Sequence, residues 1–147
     1  MFDGNKWLST DLEITQGGHS KTSAGPALAE YNGKLYLAYQ GSGSNDLWYN
    51  VFDGNKWLST DLEITHNGHS QTSRRPALAV YGNQLYLAYR GGGSDDIWYN
   101  VFDGQKWLAQ DISVSQGGFV QTAEGPALAA FALANGPYLF LVYRDNS

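Results

Sequence analysis

Pro76 to Trp107 reads PALAVYGNQLYLAYRGGGSDDIWYNVFDGQKW, and the chain says nearly the same from Pro26 to Trp57, PALAEYNGKLYLAYQGSGSNDLWYNVFDGNKW. A third copy opens at Pro126, PALAAFALANGPYLFLVYR, and runs to Arg144. Trp7, Trp57 and Trp107 recur every 50 residues, as do Pro26, Pro76 and Pro126. In the third copy four extra residues enter the turn Ala132 to Gly136, after which Leu139, Tyr143 and Arg144 take the places of Leu85, Tyr89 and Arg90. A fixed period of this length points to a propeller, solenoid or array.

Within one unit the signals are all those of strands. PALAVY starts at a proline and stops at Gly82-Asn83, a turn dipeptide between two β-prone stretches. LYLAYR follows, with Leu85, Leu87 and Tyr89 on one face and Tyr86, Ala88 and Arg90 on the other. Both faces are largely apolar, so this strand is covered on two sides. GGGSDD is glycine with polar turn formers and carries the chain to DIWYNVF, aromatic and β-branched for most of its length. Asp103-Gly104 is a hairpin signal, and KWLAQDISV beyond it alternates well enough to form an outer strand. Nowhere does a helical period survive.

The 147 residues amount to one domain, rich in Gly, Tyr and Trp. No apolar run is long enough to span a bilayer, and MFDGNKW lacks the basic and apolar regions of a signal peptide. The expectation is a soluble chain, cytoplasmic or released, without membrane insertion. With no cysteine there is no disulfide framework and no thiolate metal site. A net charge of −5 and a pI near 4.9 argue against nucleic acid, which demands clustered Lys and Arg. A neutral partner suits this surface better, and no cofactor is expected.

Four antiparallel strands per unit, joined by loops such as THNGHSQTSRR, are the meander of a propeller blade. A β-trefoil also has repeats of about this length, but its strands bury one side only, against two here. The boundaries read as 1–25 for the outer strand of a shared blade, 26–75 and 76–125 for whole blades, and 126–147 for the inner strands of the shared blade. Rings need about four blades or more. An open arc of three would leave two blade faces of roughly 350 Å² each uncovered. The expected fold is therefore an all-β propeller, closed into a six-bladed ring by a head-to-tail homodimer.

The pattern PALAxYxGxLYLAYRGxxxDxIWYxxFDGxxW resembles the tandem repeats of bacterial and fungal β-propeller lectins over essentially the whole chain. The DG-x-x-W phrase is similar to the blades of fucose-binding propeller lectins, some of which assemble six-bladed rings from short chains. The resemblance implies a lectin binding neutral glycans, fucosylated ones included, multivalently at sites between blades. A weaker likeness, Arg75-Pro76-Ala77-Leu78 and the Asp-box-like FDGNKW, is to sialidase propellers and implies a glycosidase. An assembly scaffold or an engineered repeat without natural ligand is the remaining alternative.

Candidate ligand residues follow from chemistry and place. Trp48 and Trp98 open a strand beside the Gly-rich loop, and an indole face stacks on the apolar C–H face of a sugar. Their competing role is to fill space, as Trp7, Trp57 and Trp107 are expected to do. Arg90 and Arg144, with Gln40 at the same position of the first copy, can donate to vicinal hydroxyls; a salt bridge from Arg90 to Asp95 or Asp96 is the plain alternative. His19 and His69 stand before the inner strand and could meet a hydroxyl, or only satisfy turn backbone. No metal role is read for them, since no second ligand keeps the spacing. Asp96 completes the ligand set, in a loop that offers too few oxygens for calcium. Asp11, Asp61 and Asp111 read as solubilising charges on the outer strand. No catalytic residues are expected, because no unit offers the facing carboxylate pair that glycoside hydrolysis requires.

Overall fold

The computed structural model describes residues 1–11, 13–14, 20–115 and 120–146. They hold ten strands and no helix. The first sheet is β1 (Ala27–Tyr31), β2 (Lys34–Gln40), β3 (Leu47–Phe52) and β4 (Leu62–Glu63), an antiparallel meander in chain order. The second repeats it with β5 (Ala77–Tyr81), β6 (Gln84–Arg90), β7 (Ile97–Phe102) and β8 (Ile112–Ser113). The third has two strands only, β9 (Ala127–Leu133) and β10 (Gly136–Val142).

Local chemistry explains the hairpins. Asn32 and Gly33 both take positive φ, 51° and 73°, as a tight turn matched to strand twist requires. Tyr31 then pairs with Lys34 and Ala27 with Ala38. Gly82, at φ 60°, does the same service between Tyr81 and Gln84, so the second hairpin keeps the register of the first. The Asp-Gly loops hold themselves: Asp103 Oδ1 accepts from the backbone N of Gln105 and of Lys106, and Asp3 and Asp53 are bound in the same way.

The two four-stranded sheets share one core. Tyr31, Tyr36, Leu47 and Ile64 of the first are buried in one cluster with Leu78, Leu85, Leu87 and Phe102 of the second. Phe102 is the joint, its ring 5.7 Å from that of Tyr36 and 6.1 Å from that of Tyr49, while Trp107 meets Tyr49 edge-on at 5.8 Å. The loops stitch the same seam: Thr72 N donates to Asn45 O at 2.7 Å, and Tyr31 Oη to Asn83 O at 2.9 Å. Across the next seam Thr122 N donates to Asp95 O and Tyr81 Oη to Pro137 O.

The all-β class holds, but the six-bladed propeller does not. The three sheets are separate and unclosed, none joins the others into a ring, and the third breaks the symmetry of the array with its two strands. The resemblance to propeller lectins is overturned with it. One physical reason lies in the segment expected to form a long outer strand. KWLAQDISV gives only the two-residue β8, paired with β7 through Trp98 with Ser113 and Tyr99 with Ile112 alone. The Asn100 side chain braces the turn before it, its Oδ1 accepting from Leu108 N, which also donates to Val101 O, and its Nδ2 donating to Leu108 O. Asn50 holds Leu58 in the same way. No helix of the described residues is long and apolar enough to cross a membrane.

Because Phe102 is buried and joins both sheets, Phe102→Ala should cost about 3–5 kcal/mol of unfolding free energy in a urea titration. A loss below about 1 kcal/mol would show that the two sheets do not depend on one core.

Candidate functional site

Beside each four-stranded sheet lies a shallow cleft at the end where the Gly-rich loop turns. In the second sheet it encloses about 270 Å³ between the loop entering β5 and the start of β7, with Ser70, Tyr89, Ser94, Trp98 and Asp111 among its walls. The first sheet has a wider one of about 540 Å³, walled by Ser20, Tyr39, Ser44, Trp48 and Asp61. Each residue of one set stands 50 positions from its counterpart in the other.

Strand register sets the tryptophans. Tyr39 lies opposite Trp48 and Tyr89 opposite Trp98 on neighbouring strands. Gly41 and Gly91 then let the indole edge close over the loop: a Cβ on Gly41 would come within 2.9 Å of Trp48 Nε1, and one on Gly91 within 2.7 Å of Ser94 Oγ. Any other residue would push the wall of the cleft aside.

The floor is a polar cluster under heavy constraint. Ser70 is buried and sits at φ 55°, a left-handed conformation that costs a non-glycine residue of order 1 kcal/mol or more. Asp111 holds it there, accepting from Ser70 N at 2.5 Å and from Ser70 Oγ at 2.6 Å. Asn100, buried in the middle of β7, donates to the same carboxylate at 2.8 Å. The first sheet repeats the cluster as Ser20 (φ 56°), Asp61 and Asn50. Burial, and then the neighbouring Asp111 carboxylate, push the Tyr89 hydroxyl well above its usual range, so the phenol stays protonated beside that carboxylate. Burial, helped by Asp61, does the same to Tyr39. For Asp61, burial works to raise the pKa, but hydrogen bonds from Ser20, Tyr39 and Asn50 outweigh it and hold the group below its ordinary 3.8.

Of the residues singled out in the sequence, Trp48 lines the first cleft, and Trp98 and His69 line the second. The others lie elsewhere. Arg90 pairs with Asp95 and donates to Thr122 O and Ser73 Oγ, so its fork is spent on holding loops together. Gln40 is buried and donates to Ser44 O at 2.8 Å. Asp96 accepts from Gln121 Nε2 at 3.2 Å. Arg144 is exposed beyond β10, and His19 lies outside the described residues. The sugar sites expected between blades are thus not found: the clefts belong to single sheets, the arginine meant for hydroxyls is a structural clamp, and nothing here carries the assignment to glycans.

Tyr39, Tyr89, Ser20, Ser70, Asp61 and Asp111 were not among the expected ligand residues, and Asp61 and Asp111 are not the water-facing charges their position suggested. The available signal was Asn50 and Asn100. An asparagine in the middle of a covered aromatic strand must find buried partners, and the 50-residue spacing pointed to the same partners twice. Among the described residues no three His, Cys, Asp or Glu side chains gather to hold a metal ion. Compared with protein-family models, with curated proteins and with solved structures, the chain finds no match in any of the three.

The Asp61 shift has a direct consequence for pH. Its folded pKa lies below the unfolded 3.8, so its contribution to stability is complete above 3.8 and lost as pH falls through the folded value. Wild type should therefore exceed Asp61→Asn in denaturant midpoint at pH 6, with the gap closing as pH drops below 3.8. A gap independent of pH would contradict the assignment.

Proposed function

We propose that the chain is a non-catalytic binding protein whose two full sheets each take one small, uncharged molecule in the cleft beside the Gly-rich loop. The observation that carries the reading is the duplication of the cleft itself: the same serine, tyrosine, tryptophan and aspartate wall it in both sheets.

The chemistry of the walls narrows the ligand class. Trp98 offers an indole flank to an apolar face, and Ser94 Oγ, which accepts from Asp96 N at 3.3 Å, still has its own proton to donate. Gly91, Gly92 and Gly93 bring main-chain groups to the rim without side chains to bar entry. The Asp111 carboxylate is taken up by Ser70 and Asn100, so it offers little to a cationic ligand. It is also the single acidic side chain of its cleft, so no facing pair of carboxylates stands there. The two sites are not equal: Lys21 and Ser42 stand in the first cleft where Gln71 and Gly92 stand in the second.

The test is a tryptophan-fluorescence titration with a panel of free nucleosides and small cyclic amides. At least one class should give a saturable change, and Trp98→Ala should weaken one of two binding steps at least about tenfold, equivalent to ~1.4 kcal/mol, with the far-UV spectrum unchanged. Absence of saturable binding across the panel, or full binding by the Trp48→Ala/Trp98→Ala double variant, would overturn the reading.

A further inference from the structure

The seam between the first and second sheets is built from a donor and an acceptor. The donor is the hairpin Phe102–Trp107, its two rings 5.2 Å apart at 42°. The acceptor is the stacked pair Tyr36 and Tyr49, 6.4 Å apart at 11°. Phe102 settles on Tyr36 and Trp107 on Tyr49. Gly104 at the hairpin tip passes so close to Tyr31 that a Cβ there would lie 3.2 Å from its hydroxyl.

The second sheet carries the same acceptor. Tyr86 and Tyr99 stack at 6.3 Å and 26°. Among the described residues no such hairpin lies against them. Instead Tyr86 and Tyr99 open onto an apolar cavity of about 230 Å³, closed on the far side by Leu128, Leu139 and Leu141. This is space which, at the first seam, aromatic rings fill.

A matching donor stands unused in the same chain. Phe2 and Trp7 form a hairpin of the same sequence type, their rings already 5.5 Å apart at 46°. Asp3 Oδ1 holds its turn by accepting from Asn5 N and Lys6 N, as Asp103 does in the docked copy. Yet Trp7 is 74% exposed and Phe2 51%, where Phe102 is 5%. A rigid, preformed aromatic hairpin in water and a vacant acceptor of the kind its own copy occupies are complementary surfaces on one molecule.

We infer that the Phe2–Trp7 hairpin of one copy of this chain docks on the Tyr86–Tyr99 pair of a second copy, with Phe2 against Tyr86 and Trp7 against Tyr99. The contact is heterologous, donor to acceptor, and the known intramolecular seam is its template. It is independent of the clefts, which lie elsewhere on the sheets.

Sedimentation equilibrium of the full chain across micromolar concentrations tests it. Wild type should associate, and Trp7→Ala and Tyr99→Ala should each raise the dissociation constant at least about tenfold. The double variant should be no worse than the weaker single one, because the two side chains make one contact. Trp7 is exposed in the single chain, so Trp7→Ala should keep the wild-type circular dichroism, and it remains informative if Tyr99→Ala folds poorly. A monomer at all concentrations, or association that Trp7→Ala leaves unchanged, would overturn the inference.

Discussion

A carboxylate on the outer edge of each four-stranded sheet grips the loop that enters that sheet, and the rest of the structure depends on this grip. Asp111 accepts from Ser70 N and Oγ and from Asn100, which ties together the loop before β5 and the middle of β7, with Tyr89 of β6 beside them. A partly buried carboxylate is tolerated best when its lone pairs are filled, and here three donor bonds from Ser70 and Asn100 converge on it. The return is positional. Ser70 is held in a left-handed conformation that nothing local would favour, and that turn brings Gln71 O onto Gly92 N and Thr72 N onto Asn45 O. The grip thus shapes the cleft and the seam with the preceding sheet at once.

Aromatic packing supplies what the polar cluster does not. Phe102 and Trp107 fill the space between the first two sheets, and their burial is the apolar counterpart of the Asp111 grip at the other end of β7. Where the hairpin is absent, beside Tyr86 and Tyr99, the chain leaves a cavity rather than a collapsed interface. Side chains on β9 and β10 are correspondingly exposed, with Phe131 at 61% and Val142 at 65%.

Much of the strand layout was legible in the residues. Alternating apolar runs flanked by Asn32-Gly33 and Gly82-Asn83 mark β1, β2, β5 and β6, because period and turn chemistry are local properties. The outer edge was not legible. LEI and ISV alternate like strands, but only Leu62–Glu63 and Ile112–Ser113 pair with the neighbouring strand, while the residues before them are braced by Asn50 and Asn100, whose side chains bond Leu58 and Leu108. Ring closure failed for a related reason: a period states that units are alike, not that they complete one another in space. Arg90 forms the salt bridge to Asp95 that the sequence offered as one of its two roles, and its bonds to Ser73 and Thr122, from two other loops, were not legible. Trp98 could be placed beside the cleft because the Gly-rich loop precedes it directly, whereas Tyr89 and Asp111 meet only once the sheet is folded.

The central claim is that Ser70 and Asp111 stabilise the chain through each other. A double-mutant cycle in urea, with Ser70→Ala, Asp111→Ala and the pair, measures that directly. The account predicts a coupling of about 1–3 kcal/mol, as for hydrogen bonds to a charged, partly buried acceptor. Losses that add to within about 0.3 kcal/mol would contradict it, and would leave the left-handed turn at Ser70 without the partner that holds it.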